Sequence, residues 1–335
     1  MKPKKRFEAQ KEEYPLSEAV DLGIAWEWEF DADFVFRLDR ACQQVGLSSY
    51  IVHPNNLFET WGRIQKGSLS FRTFLDRASD NVETIRAMVH RLKDTGKPLI
   101  NDPDLLARAN DKAAMHLELL TRGVDVPYTI IVGPQEGDHI QNVPELQQIG
   151  TPFIIKPANG GGGRGVILGA QDKVDVVKAR KILWGDTMLL QEEIQPLNLS
   201  VGMAWFRTFM VDQNIHLCWW NKETHLYRPV LPVEEVEFGL ERLRSITEKI
   251  GEACGLTLFS TEIAQSIDGR FVAVDYVNDQ PDFRPRSKTP DGVPDLVLNN
   301  IVMDIVRWAR EYVRADESRG SPIISSDERR DRESG

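Results

Sequence analysis

A run of glycines after a short apolar segment constrains this chain more than any other feature. Residues 151–155 (TPFII) predict a β-strand, Lys156 follows, and the turn 157–165 (PANGGGGRG) carries an arginine among glycines. Glycine has no Cβ, so the backbone N–H groups of such a turn can surround an anion, while the two cations neutralise it. The spacing matches neither Gly-x-x-x-x-Gly-Lys-Ser/Thr nor Gly-x-Gly-x-x-Gly. The pattern still favours a loop that binds a nucleotide triphosphate over a flexible surface turn.

The overall charge narrows the choice of ligands. The 335 residues carry a formal net charge of −10 at pH 7, and 41% of them are hydrophobic. This acidity argues against general binding of nucleic acid, so a triphosphate site would need local cations of its own.

The basic segment 1–6 is not followed by the apolar stretch of a signal peptide, and no apolar run reaches the length of a membrane span. We therefore expect a cytoplasmic protein with no membrane partner; the three distant cysteines are expected to be buried, reduced thiols.

Apolar patterning predicts alternating strands and helices, which indicates an α/β architecture with ample core. We expect a disordered arm at 1–14, a small α/β domain with a parallel sheet at 15–100, a larger domain at 101–313 that divides near 185–190, and a disordered charged tail at 314–335. Within the larger domain, one helix is expected over 233–251 and a last one over 294–313. Strands are expected at 258–264 and 270–277, joined by a turn.

Several polar residues stand where they could serve a nucleotide. Lys112 opens a helix, although a lone helical lysine is usually solvated. The segment 191–194 (Gln191, Glu192, Glu193, Ile194) ends an apolar strand and could present donors and acceptors to an adenine edge, or be an ordinary charged strand end. Arg207 lies in an apolar β-run and needs a partner, which is either a phosphate or a core ion pair.

Two neighbouring strands bring oxygen ligands close together. Glu262 lies on the first, while Asp275 and Asn278 lie on the second. Such hard oxygen ligands beside a phosphate site are what Mg²⁺ requires. The alternative is a hairpin with exposed acids.

Taken in order, these pieces resemble the ATP-grasp superfamily, and most of all its glutathione-synthetase-like group, which includes the ribosomal-protein glutamate ligases and the D-alanine ligases. The strongest likeness lies in residues 99–112 (LINDPDLLARANDK) and 119–127 (LLTRGVDVP). They are similar to the pattern Asn-x-Pro, Asp-Lys, Leu-Leu and Gly-(Ile/Val)-Pro of that group. The likeness covers about residues 99–310 and implies an ATP-grasp fold of the α/β and α+β classes, preceded by a small Rossmann-like parallel-sheet domain.

The resemblance also implies roles for individual residues. Lys112 and Lys156 would contact the α- and β-phosphates of ATP, and residues 191–194 would form the hinge around adenine. Arg207 would reach the γ-phosphate or the intermediate. The glycine loop would form the lid over the phosphates, with Gly161, Gly162, Gly163, Arg164 and Gly165. The ligands of Mg²⁺, or of Mn²⁺ as an alternative, would be Glu262, Asp275 and Asn278.

The sequence departs from the group's pattern at two points. The last metal motif is usually Glu-x-Asn, but Asp275 and Asn278 are three residues apart, which in a regular strand points them to opposite faces. Either a bulge restores convergence, or the strand ends near Val277, or one of the two is not a ligand. In addition, residues 280–284 (QPDFR) replace the usual Pro-Gly turn beside the substrate site.

The resemblance implies an ADP-forming ligase that joins a small-molecule or peptide carboxylate to an amine or thiol through an acyl phosphate. Such chemistry needs no protein nucleophile. Two alternatives stay open. One is a small-molecule kinase, for which Arg284, Arg286 and Lys288 could hold an anionic substrate; the other is an ATP-binding protein without turnover. The oligomeric state also stays open, with a homodimer as one alternative.

Overall fold

A parallel sheet forms the first part of the chain. The computed structural model describes residues 17–134 and 146–320. The strands are β1 (Glu18–Trp26), β2 (Ser49–Val52), β3 (Leu69–Arg77) and β4 (Leu99–Ile100), and they pair in parallel in the order β2-β1-β3-β4. Helices α1 (Ala32–Gln44), α2 (Leu57–Gln65) and α3 (Glu83–Asp94) connect them. The predicted α/β alternation is confirmed, while helix α2 is an addition that the sequence analysis does not predict.

A four-stranded antiparallel sheet follows. After helices α4 (Pro103–Ala109) and α5 (Lys112–Thr121), the chain forms β5 (Thr129–Val132), β6 (Phe153–Pro157), β7 (Ile167–Ala170), α6 (Lys173–Ile182) and β8 (Met188–Glu192). The strand order is β5-β8-β6-β7, and we call this unit the central sheet. Strand β8 pairs with β5 and β6, so residues Met188–Glu192 belong to the central sheet.

The second antiparallel sheet has five strands. A short ribbon, β9 (Asn198–Leu199) and β10 (Gly202–Met203), precedes it. The five strands pair in the order β13-β12-β11-β14-β15. Their bounds are β11 (Trp205–Val211), β12 (Asn214–Trp220), β13 (Tyr227–Pro229), β14 (Leu258–Gln265) and β15 (Phe271–Asn278), and the accompanying helices are α7 (Pro232–Glu237), α8 (Glu241–Cys254) and α9 (Asp295–Gly320).

Two helix predictions are wrong in their extent. The single helix expected over 233–251 is divided into α7 and α8, because Gly239 adopts a left-handed φ of +62° that no helix continues. Helix α9 runs to Gly320 instead of ending near residue 313, so residues 314–320 are helical and not part of a disordered tail. Arg72 of β3 lies 3.2 Å from Glu317 in this extension. The arm 1–14 and the rest of the tail, 321–335, lie outside the described residues.

The largest apolar core joins distant parts of the chain. It contains Leu22 and Ile24 of β1, Phe34 of α1, Phe209 of β11 and Ile301 of α9. The parallel sheet and the five-stranded sheet therefore share one core. The central sheet has a core of its own, built from Phe153, Ile155, Met188 and Leu190 against α6. None of the helices in the described ranges has an apolar stretch that could cross a bilayer.

Candidate nucleotide site

The two predicted lysines meet at the glycine loop. Strand β6 delivers Lys156, whose Nζ donates a hydrogen bond to the carbonyl oxygen of Val274 on β15 at 3.1 Å. Helix α5 starts at Lys112 because the Asp111 carboxylate caps it, accepting from the N–H groups of Ala113 and Ala114 at 2.9 and 3.0 Å. The backbone N–H of Lys112 donates to Ala158 O at 2.9 Å, and its Nζ donates to Gly160 O. Lys112 thus binds the glycine loop from α5, and Lys156, which precedes the loop, reaches across to β15.

The charge of Lys156 is only partly compensated. Burial lowers the pKa of Lys156, and the nearby charge of Lys112 lowers it further, while Asp275 and Glu262 act in the opposite direction. These contributions show that the two lysines and the two carboxylates are close enough to interact. An anion placed between the lysines would favour the charged form of both.

The glycine loop needs its glycines for backbone conformation. Gly162, Gly163 and Gly165 adopt positive φ angles of +63°, +69° and +77°. A Cβ added at Gly161, Gly162 or Gly163 would have no heavy atom within 4 Å, so space is not the constraint there. The loop residues are exposed, and the Nε of Arg164 donates a 3.4 Å hydrogen bond to Gly161 O within the same loop. The loop can therefore contact a ligand with its N–H groups.

A bulge resolves the irregular metal motif. Strand β15 extends to Asn278, and its pairing with β14 shifts register between the pairs Ser260–Asn278 and Glu262–Asp275. A second register shift follows between Glu262 and Ile263. The bulge, one of the three explanations offered by the sequence, is therefore present in this hairpin. In the described ranges, no group of three or more His, Cys, Asp or Glu side chains could hold a metal ion.

Arg207 lies beside the same carboxylates. Its Nη2 is 3.5 Å from Oε1 of Glu262, its Nη1 donates to the Tyr227 hydroxyl at 3.4 Å, and its guanidinium stacks over Trp220 at 5.1 Å. Burial opposes the charge, but Tyr227, Glu262 and Asp275 outweigh it and raise the pKa of Arg207. Within residues 17–134 and 146–320, the buried Nε of Arg207 has no hydrogen-bond partner. The ion pair expected as the alternative to a phosphate contact is thus present.

The predicted hinge residues point in different directions. Gln191 is buried and contacts the hydroxyls of Thr129 and Tyr276. The Glu192 carboxylate accepts from the backbone N–H of Tyr128 at 2.9 Å, which occupies one of its oxygens. Glu193 is half-buried, and Ile194 packs in the largest core.

A polar seam that the sequence analysis misses lies between β3 and the segment after Asn278. Arg77 donates to both carboxylate oxygens of Asp31, at 2.8 and 2.9 Å, and to Pro281 O at 2.9 Å. Asp279 is 9% exposed, and its Oδ2 has no partner. Burial and the neighbouring Asp80 raise the pKa of Asp279 to about 6. The contacts of Arg77 to Pro281 span 204 residues, so no local pattern could reveal them.

The cations proposed for a kinase substrate are already engaged. Arg284 pairs with Asp282 and, at 2.9 Å, with Asp291, while Arg286 donates to Tyr227 O at 2.7 Å. Lys288 is exposed. No observation at this loop therefore favours an anionic substrate.

Comparisons with known proteins agree on the architecture. No protein-family model matches the sequence, and a search of the curated proteins finds no match. Solved structures do match. D-alanine–D-alanine ligase from Bacillus anthracis complexed with ATP has a TM-score of 0.61 at 14% identity, over 89% of this chain and 99% of that one. D-cycloserine synthetase DcsG gives 0.61 at 15%, over 87% and 100%.

A third similar structure is the ATP-grasp ligase PsnB complexed with the precursor peptide PsnA2 and AMPPNP. Its TM-score is 0.60 at 13% identity, over 87% of this chain and 98% of that one. At such identities the likeness concerns the fold. The described architecture, a parallel sheet followed by two antiparallel sheets, agrees with it. The chain therefore has the ATP-grasp fold.

Proposed function

We propose that this protein is an ATP-dependent ligase that joins a carboxylate to an amine and forms ADP. The observation that carries the proposal is that Lys112, from α5, contacts the glycine loop, while Lys156, from β6, contacts β15 and interacts electrostatically with Lys112, Glu262 and Asp275. Two cations and a ring of backbone N–H groups suit a chain of phosphates, and two carboxylates suit the metal that accompanies it. The similar structures with bound ATP and AMPPNP support the same ligand.

The oxygen donors present fit a magnesium ion. Glu262 pairs with Asp275 across the β14–β15 ladder, and Asn278 ends β15; together they would offer two carboxylates and an amide oxygen. Mg²⁺ commonly takes only one or two carboxylates from the protein and fills its other positions with phosphate oxygens and water, and Mn²⁺ is an alternative. When bound, the ion would neutralise the charge that develops on the phosphoryl group.

The remaining residues would position and stabilise the reacting groups. Lys112 and Lys156 would hold the phosphates, and the loop from Gly161 to Gly165 would cover them and exclude water. Arg207, whose guanidinium lies beside Glu262, would stabilise the charge on the transferring phosphoryl group or on the acyl phosphate. A carboxylate oxygen of the acid would attack the γ-phosphorus, and the bond from that phosphorus to the β–γ bridging oxygen would break, so that ADP leaves and an acyl phosphate forms. The amine nitrogen would then attack the acyl carbon and form the C–N bond, the C–O bond to phosphate would break, and the nitrogen would lose a proton to solvent.

The chain would consist of an amino-terminal unit at 15–100 and an ATP-grasp unit at 101–313. The acid and the amine would be small molecules or peptides, in a cytoplasmic protein. PsnB, one of the similar structures, is complexed with a precursor peptide. ATP would lie between the central sheet and β15, whose carbonyl at Val274 contacts Lys156.

Trapping of the acyl phosphate tests the proposal. The protein would be incubated with ATP, Mg²⁺, hydroxylamine and a panel of carboxylic acids that includes the amino acids and short peptides. A hydroxamate that forms together with ADP supports the ligase. Transfer of labelled phosphate to a stable alcohol would indicate a kinase instead, and ATP binding without ADP release across the panel would indicate a binding protein. Lys156→Met serves as the control that holds the nucleotide only weakly.

A further inference from the structure

A polar cleft beside helix α8 has no place in the proposed chemistry. It lies between the turn after α5, the first turns of α8 and the turn that joins β14 to β15, and we call it the α8 cleft. Its volume is about 330 Å³, which falls in the range of small-molecule sites. Phe271 and Ile246 give it an apolar floor. The cleft therefore has the size for one small ligand.

The α8 cleft and the candidate nucleotide site lie on opposite faces of the five-stranded sheet. Phe271 packs with Leu243 of α8 in one core. Trp205, whose indole N–H donates to Glu262, belongs to the largest core instead. Side chains alternate between the faces of a strand, and Phe206, the neighbour of Trp205, packs in the core that contains Phe271. A ligand in the α8 cleft would thus be separate from the nucleotide.

Two polar side chains of α8 line the cleft without a partner of their own. Arg242 and Ser245 are three residues apart, so they share one face of the helix. Cζ of Arg242 lies 6.0 Å from the centroid of the Phe271 ring, which keeps the guanidinium at the floor. Within residues 17–134 and 146–320, this guanidinium has no carboxylate partner and the Ser245 hydroxyl makes no hydrogen bond. A guanidinium and a hydroxyl on one helix face suit a carboxylate ligand.

An unpaired carboxylate lies on another wall of the cleft. Asp125, in the turn after α5, is exposed, and its backbone carbonyl is fixed to β15 because it accepts from Ala273 N at 2.9 Å. In the part of the chain that the structure describes, its carboxylate forms no hydrogen bond or ion pair. Asp125 and Arg242 therefore line one cleft without contacting each other, and a ligand that carries both charges could contact both.

The other charged side chains of the cleft are already paired. Nε of Arg270 donates to Asp268 at 2.8 Å, and its Nη2 lies 3.8 Å from Glu192. The hydrogen bond to Asp268, helped by the charges of Glu192 and Asp125, raises the pKa of Arg270. Asp125 is thus near this cation but not in contact with it. Because Arg270 and Asp268 neutralise each other, Arg242 and Asp125 are the charges left for a ligand.

We propose that the α8 cleft is a second binding site, which takes a free α-amino acid. The α-carboxylate would accept from Arg242 and Ser245, and the α-ammonium would donate to Asp125. An apolar side chain would contact Phe271 and Ile246. The opposite charges of the ligand match the two unpaired charges of the cleft. The inference does not depend on the proposed function, because no residue that lines the cleft is assigned to ATP, the metal or the reacting groups.

Titration calorimetry in the absence of nucleotide and metal tests the inference. The full chain would be titrated with glycine, L-alanine, L-leucine and L-phenylalanine, and then with the N-acetyl and amide derivatives of the one that binds best. We expect one-to-one binding of at least one amino acid, and about tenfold weaker binding or less of each derivative, because each keeps only one charge. No binding of any amino acid at about 10 mM, or equal binding of either derivative, overturns the inference.

Substitutions on the two walls assign the binding to the cleft. Arg242→Gln and Asp125→Asn change exposed side chains, so both variants should fold, which their melting temperatures would check. We expect each to weaken binding of the amino acid by about tenfold or more and to leave ADP binding intact. Arg91→Gln and Asp94→Asn, at exposed positions of α3, are the matched controls. Unchanged affinity for the amino acid in both Arg242→Gln and Asp125→Asn would place it elsewhere and overturn the inference.

Discussion

Nη2 of Arg207 lies 3.5 Å from Oε1 of Glu262, so a cation assigned to phosphate and a carboxylate assigned to metal contact each other directly. The indole N–H of Trp205 donates to the other oxygen of Glu262 at 3.1 Å. These contacts hold both side chains in place on one face of the sheet. They also allow the two roles to be separated by substitution.

Glu262→Gln should remove turnover and largely spare nucleotide binding. Glutamine keeps the shape and can still accept from Trp205, but it loses the charge that suits a metal ion. We expect kcat to fall by about a hundredfold or more, and the dissociation constant for ADP without Mg²⁺ to change by less than about threefold. Steady-state kinetics and calorimetry would measure the two effects. Glu252→Gln, on the exposed side of α8, is the control; full activity in Glu262→Gln would show that Glu262 is not a metal ligand.

Lys156→Met should weaken nucleotide binding strongly. The substitution keeps the aliphatic length and packing but removes a buried cation from the phosphate side of the central sheet. A hydrogen bond to a charged group contributes about 1.5–3 kcal/mol, so we expect the affinity for ADP to fall by about 10- to 150-fold. Lys181→Met, on exposed helix α6, is the matched control. Unchanged ADP affinity in Lys156→Met would exclude the assignment of Lys156 to the phosphates.

The affinity for ADP should begin to fall at a lower pH than it would if Lys156 had the pKa of an ordinary lysine. Burial and Lys112 lower the pKa of Lys156 below 10.5, and bound phosphates favour its charged form. Affinity is therefore fully present below the pKa of the free protein and declines as the pH rises through that pKa. Calorimetric titrations between pH 7 and 10.5 would show the decline, and Lys156→Met should abolish it. A constant affinity up to pH 10.5 would contradict this role.

Asp279→Asn should stabilise the protein near neutral pH. The pKa of Asp279 is raised from 3.8 to about 6, so the folded protein holds this proton more tightly than the unfolded chain does. Its contribution to stability is greatest below pH 4 and is lost as the pH rises to about 6. Above pH 6 the buried carboxylate costs up to about 3 kcal/mol, which asparagine avoids.

Urea unfolding of Asp279→Asn between pH 4 and 8, without Mg²⁺ or nucleotide, would measure this effect. We expect a higher free energy of unfolding for the variant at pH 8 and little difference at pH 4. Asp94→Asn, at an exposed position on α3, should behave like the unchanged chain at both pH values. A variant that is less stable at pH 8 would show that ionised Asp279 has a compensating partner.

Local sequence patterns predict most elements of this fold, because strand and helix periodicity does not depend on distant contacts. The glycine loop, the helix start at Lys112 and the β14–β15 hairpin are all of this kind. The division between α7 and α8 is harder to foresee, since it depends on the backbone conformation of Gly239. The extension of α9 to Gly320 accompanies contacts with a strand more than 200 residues away.

In the candidate site, too, local features can be predicted from the sequence and long-range contacts cannot. Glu262, Asp275 and Asn278 can be proposed from sequence, but whether they share a face depends on a bulge that only the strand pairing reveals. Tyr276 is identifiable as a strand residue, yet its partners His116 and Gln191 lie 160 and 85 positions away. Asp279 and Arg77 escape notice for the same reason. Long-range pairs of polar side chains leave no periodic signal in a single sequence.

The parallel and five-stranded sheets are joined by a common core. Side chains of β1, α1 and α9 are buried together with those of β11, whereas the central sheet has a core of its own. The amino-terminal unit therefore covers apolar side chains of α9. A fragment that begins at residue 101 would lack β1 and α1, and the apolar side chains of α9 that share their core would be exposed to solvent. Such a fragment should therefore aggregate, although every residue proposed to hold ATP would still be present.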